Sequence, residues 1–426
     1  MNKRNKIKTG YIQTEIGRIP KEWKVVTLDE IVKEDKFAIV DGPFGTQLHS
    51  NEYMDSGIPL IRVNNINKDG LFNFEDLVYI SEIKFEKLKR SAVYPGDILL
   101  AKTGATIGKV TIFPGKFEKG LIASSCAKIS IDENKADIIY IFYFILSDLG
   151  YKQILASSTG ATRPTINLTP ISKIIIFLPP FPEQQKIAEI LSTVDQAIEK
   201  VDDSIAKTER LKKGLMQELL TKGIGHKEFK DTEIGRIPKE WEVVRLKESK
   251  EIDLIMGQSP PGKSYNKKGE GLPFIQGKAE FGNMYPSPIL WTTQPTKIAE
   301  EGDILISVRA PVGDVNICPY RLCIGRGLAA IRIKEGSNIF YFYWFQKEKQ
   351  RIESIGKGST FKAITKDELS NIFIPFPSLP EQQKIAEILS TVDKRLELLR
   401  NKKEKMERIK KGLMNDLLTG KRRVKV

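Results

Sequence analysis

The sequence has few of the residues on which most catalytic and metal sites depend. It contains two histidines, His49 and His226, and three cysteines in 426 residues. Cys318 and Cys323 lie near each other without a second pair of ligands, so their spacing does not favour a zinc site. An odd cysteine count, with no apolar signal segment after the basic N-terminus, predicts a reducing cytoplasmic location.

Long apolar runs are also missing. The longest, residues 138–146, is far shorter than the ~20 residues of a membrane span and is bounded by Asp137 and Asp148, which predicts a core helix. What the chain has in excess is positive charge, with a formal net charge of +14. That excess favours a polyanionic partner, either nucleic acid or an anionic membrane surface. Because much of it lies in the N-terminal segment and the tail, it does not locate the binding surface.

The most informative feature is an internal repeat. The segment PEQQKIAEILSTVD occurs at residues 182–195 and again, unchanged, at 380–393. Two further motifs recur in the same order, TEIGRIPKEW (14–23 and 232–241) and RLKKGLMQELLT with its second copy RIKKGLMNDLLT (210–221 and 408–419). The long middles between these motifs hardly match. One unit is therefore written twice, with a similar frame around two different middles.

The repeat predicts how the chain is divided. In chain order we expect a leading segment (1–24), a first globular domain (25–181), a first long helix (182–222), a second leading segment (223–242), a second globular domain (243–379), a second long helix (380–420) and a basic tail (421–426). Two domains of ordinary size fit this length.

The two periodic segments predict a coiled coil that also docks a partner. Apolar residues alternate in steps of four and three, and the stripe includes Ile187, Leu191, Val194, Ile198, Ile385, Leu389, Val392 and Leu396. About 38 residues at ~1.5 Å each make a helix of roughly 57 Å. Such helices can bury their stripes on each other, in an antiparallel pair with one domain at each end. Two separate helices, each packed on its own domain, are the alternative.

The middles predict one mixed fold used twice. Runs rich in β-branched residues predict strands, and a longer apolar segment predicts a helix in each middle. The strands are expected at 58–63, 97–102, 109–113 and 127–131, then at 273–276, 303–308, 315–318 and 328–333, with helices near 138–155 and 339–355. Each middle ends in an apolar, proline-rich strand. The fold class is therefore α+β, with two similar mixed domains, two long helices and a pseudo-two-fold repeat.

One segment fits a nucleotide-binding pattern. GQSPPGKS at residues 257–264 matches the phosphate-binding P-loop, which would place Lys263 on a phosphate. The pattern works only between a strand and a helix, and the residues that follow contain glycines and Pro273 without a helical period. Pro260 and Pro261 also remove two N–H donors from the loop. An exposed polar loop is the better interpretation.

Polar loops in both middles contain residue types that bind phosphates and base edges. We expect DNA contacts from Thr46, Gln47, Arg62, Asn64, Asn65, Lys102, Thr103, Thr162 and Arg163 in the first middle, and from Gln258, Ser259, Lys263, Gln276, Lys278, Arg309, Arg326, Thr360 and Lys362 in the second. We find no candidate catalytic residues and no candidate metal ligands.

Together these motifs resemble the specificity subunit of type I restriction–modification enzymes. The resemblance rests on the doubled IG-x-IP-x-x-W, the doubled PEQQKIA, the doubled KKGLM-x-x-LLT, and GDIL in each middle, at residues 96–99 and 302–305. It implies two target recognition domains, each of which reads one half of a split DNA sequence, separated by an antiparallel coiled coil. It also implies that the chain is not itself an enzyme.

The partners follow from the same resemblance. They are double-stranded DNA, two copies of a modification subunit that binds S-adenosylmethionine and methylates adenine, and restriction subunits that use ATP and Mg. No cofactor is expected on this chain, and no membrane. Three hypotheses stay open at this point: the DNA-recognition scaffold, which includes a solitary methylation system; a P-loop hydrolase that acts through Lys263; and a coiled-coil tether with two protein-binding domains.

Overall fold

The computed structural model describes residues 10–44, 47–160, 162–355 and 363–425. The chain forms two compact units. Unit 1 comprises residues 1–201 and 402–426, and unit 2 comprises residues 202–401. Each unit therefore contains one globular middle together with part of each long helix, whereas the sequence-based division placed each helix outside the domains.

Unit 1 is built largely from short strands. These are β1 (Tyr11–Thr14), β2 (Gly17–Pro20), β3 (Lys24–Thr27), β4 (Ile39–Asp41), β5 (Ile58–Ile61), β6 (Val78–Ile80), β7 (Ala92–Val93), β8 (Ile98–Ala101), β9 (Val110–Ile112), β10 (Gly120–Ile122), β11 (Cys126–Ile129) and β12 (Ile175–Leu178). The helices that begin in this part of the chain are α1 (Glu82–Lys87), α2 (Ile138–Leu146), α3 (Asp148–Ala156), α4 (Leu168–Ser172) and the long α5 (Phe181–Lys222).

Two four-stranded sheets form the middle of unit 1, with strand orders β6-β5-β10-β7 and β4-β11-β8-β9. The second sheet is covered on both faces. Ile98 and Leu100 of β8 pack in the core that includes α2, whereas Leu99 and Ala101 pack in the core that includes Ile61 of the first sheet. Because both faces are buried, β8 is a continuous apolar run rather than an alternating one.

Unit 2 has a comparable set of elements. Its strands are β13 (Phe229–Thr232), β14 (Gly235–Pro238), β15 (Glu242–Arg245), β16 (Ile252–Met256), β17 (Tyr265–Asn266), β18 (Leu272–Ile275), β19 (Leu290–Thr292), β20 (Ile298–Ala299), β21 (Ile304–Ser307), β22 (Val315–Ile317), β23 (Leu322–Ile324), β24 (Leu328–Ile333) and β25 (Phe373–Phe376). Its helices are α6 (Asn338–Lys347), α7 (Lys349–Ile355) and α8 (Lys366–Ser370), followed by the long α9 (Leu379–Leu417).

The unit 2 sheets repeat the topology of unit 1. The strand orders are β16-β24-β21-β22 and β17-β19-β18-β23-β20, and β18 and β23 pair in parallel as β5 and β10 do. The strand β21 corresponds to β8, with Ile304 and Ile306 in the core that includes α6 and Leu305 in the core between the sheets. The prediction that the two middles share one fold is confirmed.

The long helices pair within each unit, and their heptad stripes are buried. In unit 1, Ile187 and Leu191 of α5 are fully buried in one core with Leu417 of α9. In unit 2, Ile385 and Leu389 of α9 are fully buried in one core with Leu220 of α5. The remaining stripe residues Val194, Ile198, Val392 and Leu396 are buried or half-buried. Apolar burial at these positions supplies the stability that helices rich in charged residues lack by themselves.

The two helices run antiparallel in each unit. Lys212 of α5 pairs with Asp393 of α9 at 2.8 Å, and the earlier Glu209 pairs with the later Arg400 at 2.7 Å. In unit 1 the same direction follows from Asp195, which pairs with Lys410 at 2.7 Å, while Glu183 pairs with Arg423 beyond the end of α9.

The repeated motifs contact one another, and Glu183 is the centre of this contact in unit 1. The Trp23 indole N–H donates to Glu183 Oε2 over 3.1 Å. Arg423 donates to both carboxylate oxygens, with Nε–Oε1 at 2.7 Å and Nη2–Oε2 at 2.9 Å. Glu183 raises the pKa of Arg423 through this hydrogen bond. Because Glu183 is only 2% exposed, these donors satisfy a buried charge.

Glu381 has the equivalent place in unit 2. The Trp241 indole donates to Glu381 Oε2 over 3.0 Å, and His226 Nε2 lies 2.8 Å from Oε1. The Ile224 amide donates to Oε1 over 2.9 Å. The signature IP-x-x-W and PEQQ therefore occur together because the first docks on the second.

The longer predicted helices of the middles are broken in two. The segment predicted at 138–155 divides at Ser147, whose extended backbone ends α2 and whose hydroxyl accepts the Gly150 amide at the start of α3. Residues 140–145 of α2 are buried in the unit 1 core, as expected of a core helix. Among the described residues no single helix is long and apolar enough to cross a membrane, although the bent pair α2–α3 together meets the length and composition requirement.

Candidate nucleic-acid interface

Several loops of unit 1 meet at one end of its sheets. β4 and β8 both end there beside the start of β11, since Asp41 pairs with Ala127 and Ala101 pairs with Cys126. β5 ends at the same place, because its last carbonyl accepts the Ala123 amide over 2.8 Å. We name this surface the unit 1 loop edge and define it by residues 42–44, 47–48, 62–65, 102–106, 123–125, 159–160 and 162–165.

A glycine allows the first of these loops to approach its neighbour. A Cβ on Gly42 would lie 2.2 Å from the Ala123 backbone carbon, so any other residue would push the two loops apart. Cys126 lies beneath them, where burial raises the pKa of its thiol to about 12. The loops after β4 and β10 are therefore packed directly against each other.

Arg163 and Thr162 are exposed on a closed loop at this edge. The loop is held by two backbone hydrogen bonds between Thr159 and Thr165, at 2.9 and 2.8 Å. A further bond, from the Gly104 amide to the Pro164 carbonyl at 2.8 Å, attaches it to the turn after β8. The half-buried Thr103 lies beside it, paired with Thr165. The structure therefore brings Thr103 beside the loop of Thr162 and Arg163, although Thr103 is far from them in the sequence.

The loop after β5 places its predicted residues differently. Asn64 is exposed, but Asn65 is fully buried. The Asn65 Oδ1 accepts the Arg62 amide over 2.9 Å, and its Nδ2 donates to the Asn73 and Glu75 carbonyls over 3.1 and 3.2 Å. These bonds use the amide, so the prediction that Asn65 contacts DNA does not fit its burial. Arg62 is half-buried and donates from Nη2 to a backbone carbonyl.

Lys102 is also buried, with 4% of its surface exposed. Its ammonium pairs with Asp41 Oδ2 at 2.9 Å and lies 5.0 Å from the centre of the Phe44 ring. Arg90 pairs with the other oxygen of the same carboxylate, Nη2–Oδ1 at 2.7 Å. Direct contact between Lys102 and DNA, as predicted, therefore does not fit its burial.

Unit 2 presents an equivalent edge. β16 and β21 end beside the start of β24, since Met256 pairs with Ala329 and Ser307 with Leu328. We name this surface the unit 2 loop edge and define it by residues 257–259, 276–278, 308–310 and 325–327. A Cβ on Gly257 would lie 2.2 Å from a neighbouring carbonyl oxygen, as at the other edge.

The predicted residues of the unit 2 loop edge are mostly exposed. Gln258, Gln276, Arg309 and Arg326 are exposed and Ser259 is half-buried. The Arg326 amide donates to the Ser259 hydroxyl over 3.3 Å, which connects two of the loops. Lys278 is half-buried and pairs with Asp314 at 2.6 Å, so part of its charge is already neutralised. Thr46, Thr360 and Lys362 lie outside the described residues.

The P-loop interpretation of Lys263 is not supported. A strand does precede the segment, but Gly262–Ser264 is a single 3-10 turn followed by the strand β17 rather than by a helix. Without a helix N-terminus, the backbone N–H groups do not converge on a phosphate. Lys263 is an exposed side chain on this turn.

The stripe residues predicted to dock a partner are internal. Ile187, Leu191, Ile385 and Leu389 are fully buried within their own units. They hold the helices together, so a partner would contact other faces of α5 and α9. Sequence reasoning missed Asp41, Phe44 and Arg90, although Asp41 and Phe44 shortly precede the predicted residues Thr46 and Gln47.

Comparisons with known proteins agree with the repeat. A family model described as type I restriction modification DNA specificity domain matches residues 20–209 and 238–408. A putative type I restriction enzyme MjaX specificity subunit from Methanocaldococcus jannaschii is 44% identical over 421 residues, which cover 97% of this chain and 96% of the relative. The MjaVIII specificity subunit from the same organism is 30% identical over 431 residues, covering 96% and 95%.

A solved structure is also similar over nearly the whole chain. It comes from work on the structural basis of complex assembly and conformational transition of the type I R-M system. The TM-score is 0.60 at 26% identity, and the match covers 94% of this chain and 99% of that chain. With both halves of the repeat matched by the family model, the chain belongs to the type I restriction–modification DNA specificity family.

Proposed function

We propose that this chain is the non-catalytic DNA-recognition subunit of a type I restriction–modification complex. Each loop edge reads one half of a split DNA target. The observation that carries the proposal is that one fold occurs twice and presents different polar side chains at the same end of its sheets. Arg163 and Thr162 are exposed at one edge, and Arg309 and Arg326 at the other. Different loops on a common platform suit two different half-sites.

The long helices set the spacing between the half-sites. Helix α5 has 42 residues and α9 has 39. At ~1.5 Å per residue each is about 60 Å long, more than the ~34–36 Å of one DNA turn. Antiparallel pairing within each unit and the buried heptad stripe support a coiled coil as the ruler.

The duplicated frame docks two modification subunits. Glu183 and Glu381, each bound by a tryptophan, hold together two copies of the same repeated frame. Two similar surfaces in one chain suit two copies of one partner under pseudo-two-fold symmetry. The modification subunits bind S-adenosylmethionine and methylate adenine, and restriction subunits supply ATP- and Mg-dependent translocation and cleavage. The complex acts on double-stranded DNA in the cytoplasm.

Co-expression with a modification subunit encoded beside this chain tests both parts of the proposal. We expect one copy of this chain with two modification subunits, measured by native mass spectrometry. The complex should bind duplex DNA with an affinity that falls steeply with salt, because phosphate contacts release counterions. The tether hypothesis predicts a partner without salt-dependent duplex binding, and that result would overturn the proposal.

A further inference from the structure

Asp41, the last residue of β4 before the unit 1 loop edge, connects two cations. Its Oδ1 pairs with Arg90 Nη2 at 2.7 Å and its Oδ2 pairs with Lys102 Nζ at 2.9 Å. The backbone is tied at the same point, because the Ser91 hydroxyl donates to the Asp41 carbonyl over 2.8 Å. The carboxylate is therefore fixed from several sides.

The members of this cluster differ in exposure. The side chains of Asp41 and Lys102 are 7% and 5% exposed, whereas that of Arg90 is 52% exposed. The ammonium of Lys102 also lies under the Phe44 ring, at 5.0 Å. Lys102 neutralises the buried carboxylate, and Arg90 carries the remaining positive charge to the surface. Within the described residues, no protein acceptor other than Asp41 is bound to the Arg90 guanidinium.

The equivalent positions of unit 2 have different chemistry. Met256 of β16 pairs with Ala329 of β24, and Asp41 of β4 pairs with Ala127 of β11. Met256 therefore corresponds to Asp41. The carbonyl of Val308 accepts the amide of Ile364 over 2.9 Å, and the carbonyl of Lys102 accepts the amide of Ile166 over 3.0 Å. Val308 therefore corresponds to Lys102.

The third position follows from the edge strands. Ile298 of β20 pairs with Cys323 of β23, and Ala92 of β7 pairs with Leu121 of β10 in the same way, so Ile298 corresponds to Ala92. Two residues earlier in each unit, Thr296 corresponds to Arg90. The hydroxyl of Thr296 donates to the carbonyl of Gln258 in the loop after β16. The backbone frame is thus shared, but unit 1 has Asp, Arg and Lys at the three positions where unit 2 has Met, Thr and Val. Positions that keep their place but change their chemistry are suited to specificity.

We propose that Arg90 reads a guanine in the half-site of unit 1 and that Asp41 is the positioning residue for it. This inference rests on the proposed function. A planar guanidinium presents a fixed fork of donors to O6 and N7 of guanine, which is the commonest specific side-chain contact in the major groove. A buried carboxylate at one side of the fork fixes its plane and leaves the other donors for the base.

Charge alone does not distinguish a guanine from a phosphate at Arg90, because Lys102 neutralises Asp41 and one net positive charge remains. A phosphate contact needs only that positive charge, which a lysine also supplies, whereas the guanine contact needs the fork. Arg90→Lys therefore separates the two cases, since it keeps the charge and removes the fork.

The test compares methylation motifs of complexes made with the wild-type chain and with Arg90→Ala or Arg90→Lys. The measurement is single-molecule sequencing of DNA methylated to partial extent, scored at every base of both half-sites. We expect both variants to lose preference for one guanine of one half-site, by roughly ten- to a hundredfold. The other half-site is an internal control and should be unchanged. Lys173→Ala, an exposed cation paired with Asp29, is the matched control and should leave both halves unchanged.

Asp41→Asn tests the positioning role. It should relax the same guanine position as Arg90→Ala, and the double variant should be no more relaxed than either single one. A merely structural role would instead lower methylation at all sites without relaxing one base, and the melting temperature should fall in either case because the buried Lys102 loses its counter-ion. The inference is overturned if Arg90→Lys retains full preference, if the relaxed base is not a guanine, or if no position changes. In those cases the wild-type chain still yields a split motif, whereas failure of the proposed function would remove the split motif itself.

Discussion

Asp195 and Lys410 form an ion pair in unit 1, with Nζ–Oδ1 at 2.7 Å, although they come from the two long helices. Tyr143 of the globular part donates to the other carboxylate oxygen, also over 2.7 Å. Burial and the hydrogen bond to Asp195 raise the pKa of Tyr143, so the phenol stays protonated and remains a donor. One carboxylate thus joins the two helices to the globular middle.

Unit 2 repeats this arrangement with Asp393, which closes the second copy of the repeated segment. Lys212 pairs with Asp393 Oδ1 at 2.8 Å, and Tyr343 donates to Oδ2 over 2.7 Å. In each copy of PEQQKIAEILSTVD, the glutamate at the second position binds a tryptophan. The aspartate at the last position binds a tyrosine and a lysine.

Lys410→Ala should destabilise unit 1. The lysine side chain is 13% exposed and Asp195 is 23% exposed, so the pair is only partly screened by water. We expect the free energy of unfolding to fall by about 1–2 kcal/mol, measured by urea denaturation. Lys411→Ala is the matched control, because that lysine pairs with Asp148 at 3.7 Å with both side chains over 70% exposed. The control should change stability by less than ~0.5 kcal/mol, and equal effects of the two variants would contradict the account.

Arg423→Ala should have a comparable effect through Glu183. The substitution removes two hydrogen bonds from a carboxylate whose side chain is 3% exposed and leaves the Trp23 indole as its remaining side-chain donor among the described residues. We expect a loss of about 1–3 kcal/mol in the same measurement. Arg422→Ala removes an exposed neighbour and should be nearly neutral. A neutral Arg423→Ala would show that the tail does not contribute to unit 1.

The cysteines should be unreactive in the folded chain. All three are buried, and burial raises the pKa of Cys126 and of Cys318 to about 12. The thiolate is the reactive form, so at pH 8 almost none is present at Cys126 and Cys318, and Cys323 is shielded by its burial. We expect no rapid labelling by a disulfide reagent in native buffer and three labelled thiols in guanidinium. Fast labelling of any thiol in the native chain would contradict the burial of that side chain.

Arg163→Ala and Lys278→Ala should both weaken DNA binding, to different extents. Arg163 is exposed at the unit 1 loop edge, whereas Lys278 is partly neutralised by Asp314. We therefore expect the larger loss of affinity from Arg163→Ala, measured by fluorescence anisotropy with a duplex at several salt concentrations. If the contact is to a phosphate, the salt slope should fall by about one. Unchanged affinity and sequence preference in both variants would remove these residues from the interface.

The sequence predicted the frame better than the site. Heptads and exact repeats are local patterns, so the helices at 181–222 and 379–417 could be expected from them. The shared fold of the middles could be expected from the similar order of their apolar runs. The break at Ser147 was missed because the apolar pattern continues on both sides of it. Only the structure shows that this serine ends α2 and caps α3.

The site depends on contacts that no local pattern records. Asn65 has the composition of a DNA-reading residue, but its amide is used by three backbone groups of its own loop. Lys102 is likewise buried in an ion pair with Asp41, whereas Arg90 pairs with the same carboxylate and stays exposed. Such pairs join residues distant in the chain, so only the folded structure distinguishes an internal cation from an exposed one.

The methylation motif of the complex shows directly whether the two units read two separate half-sites. The chain would be purified with its modification subunit and used with S-adenosylmethionine on unmodified DNA, and methylated adenines would be mapped by single-molecule sequencing. If each loop edge reads one half of the target, the motif is split, and two short specified halves flank an unspecified spacer of fixed length. A continuous motif, or methylation without any specified sequence, would contradict the proposal that two loop edges read separate half-sites.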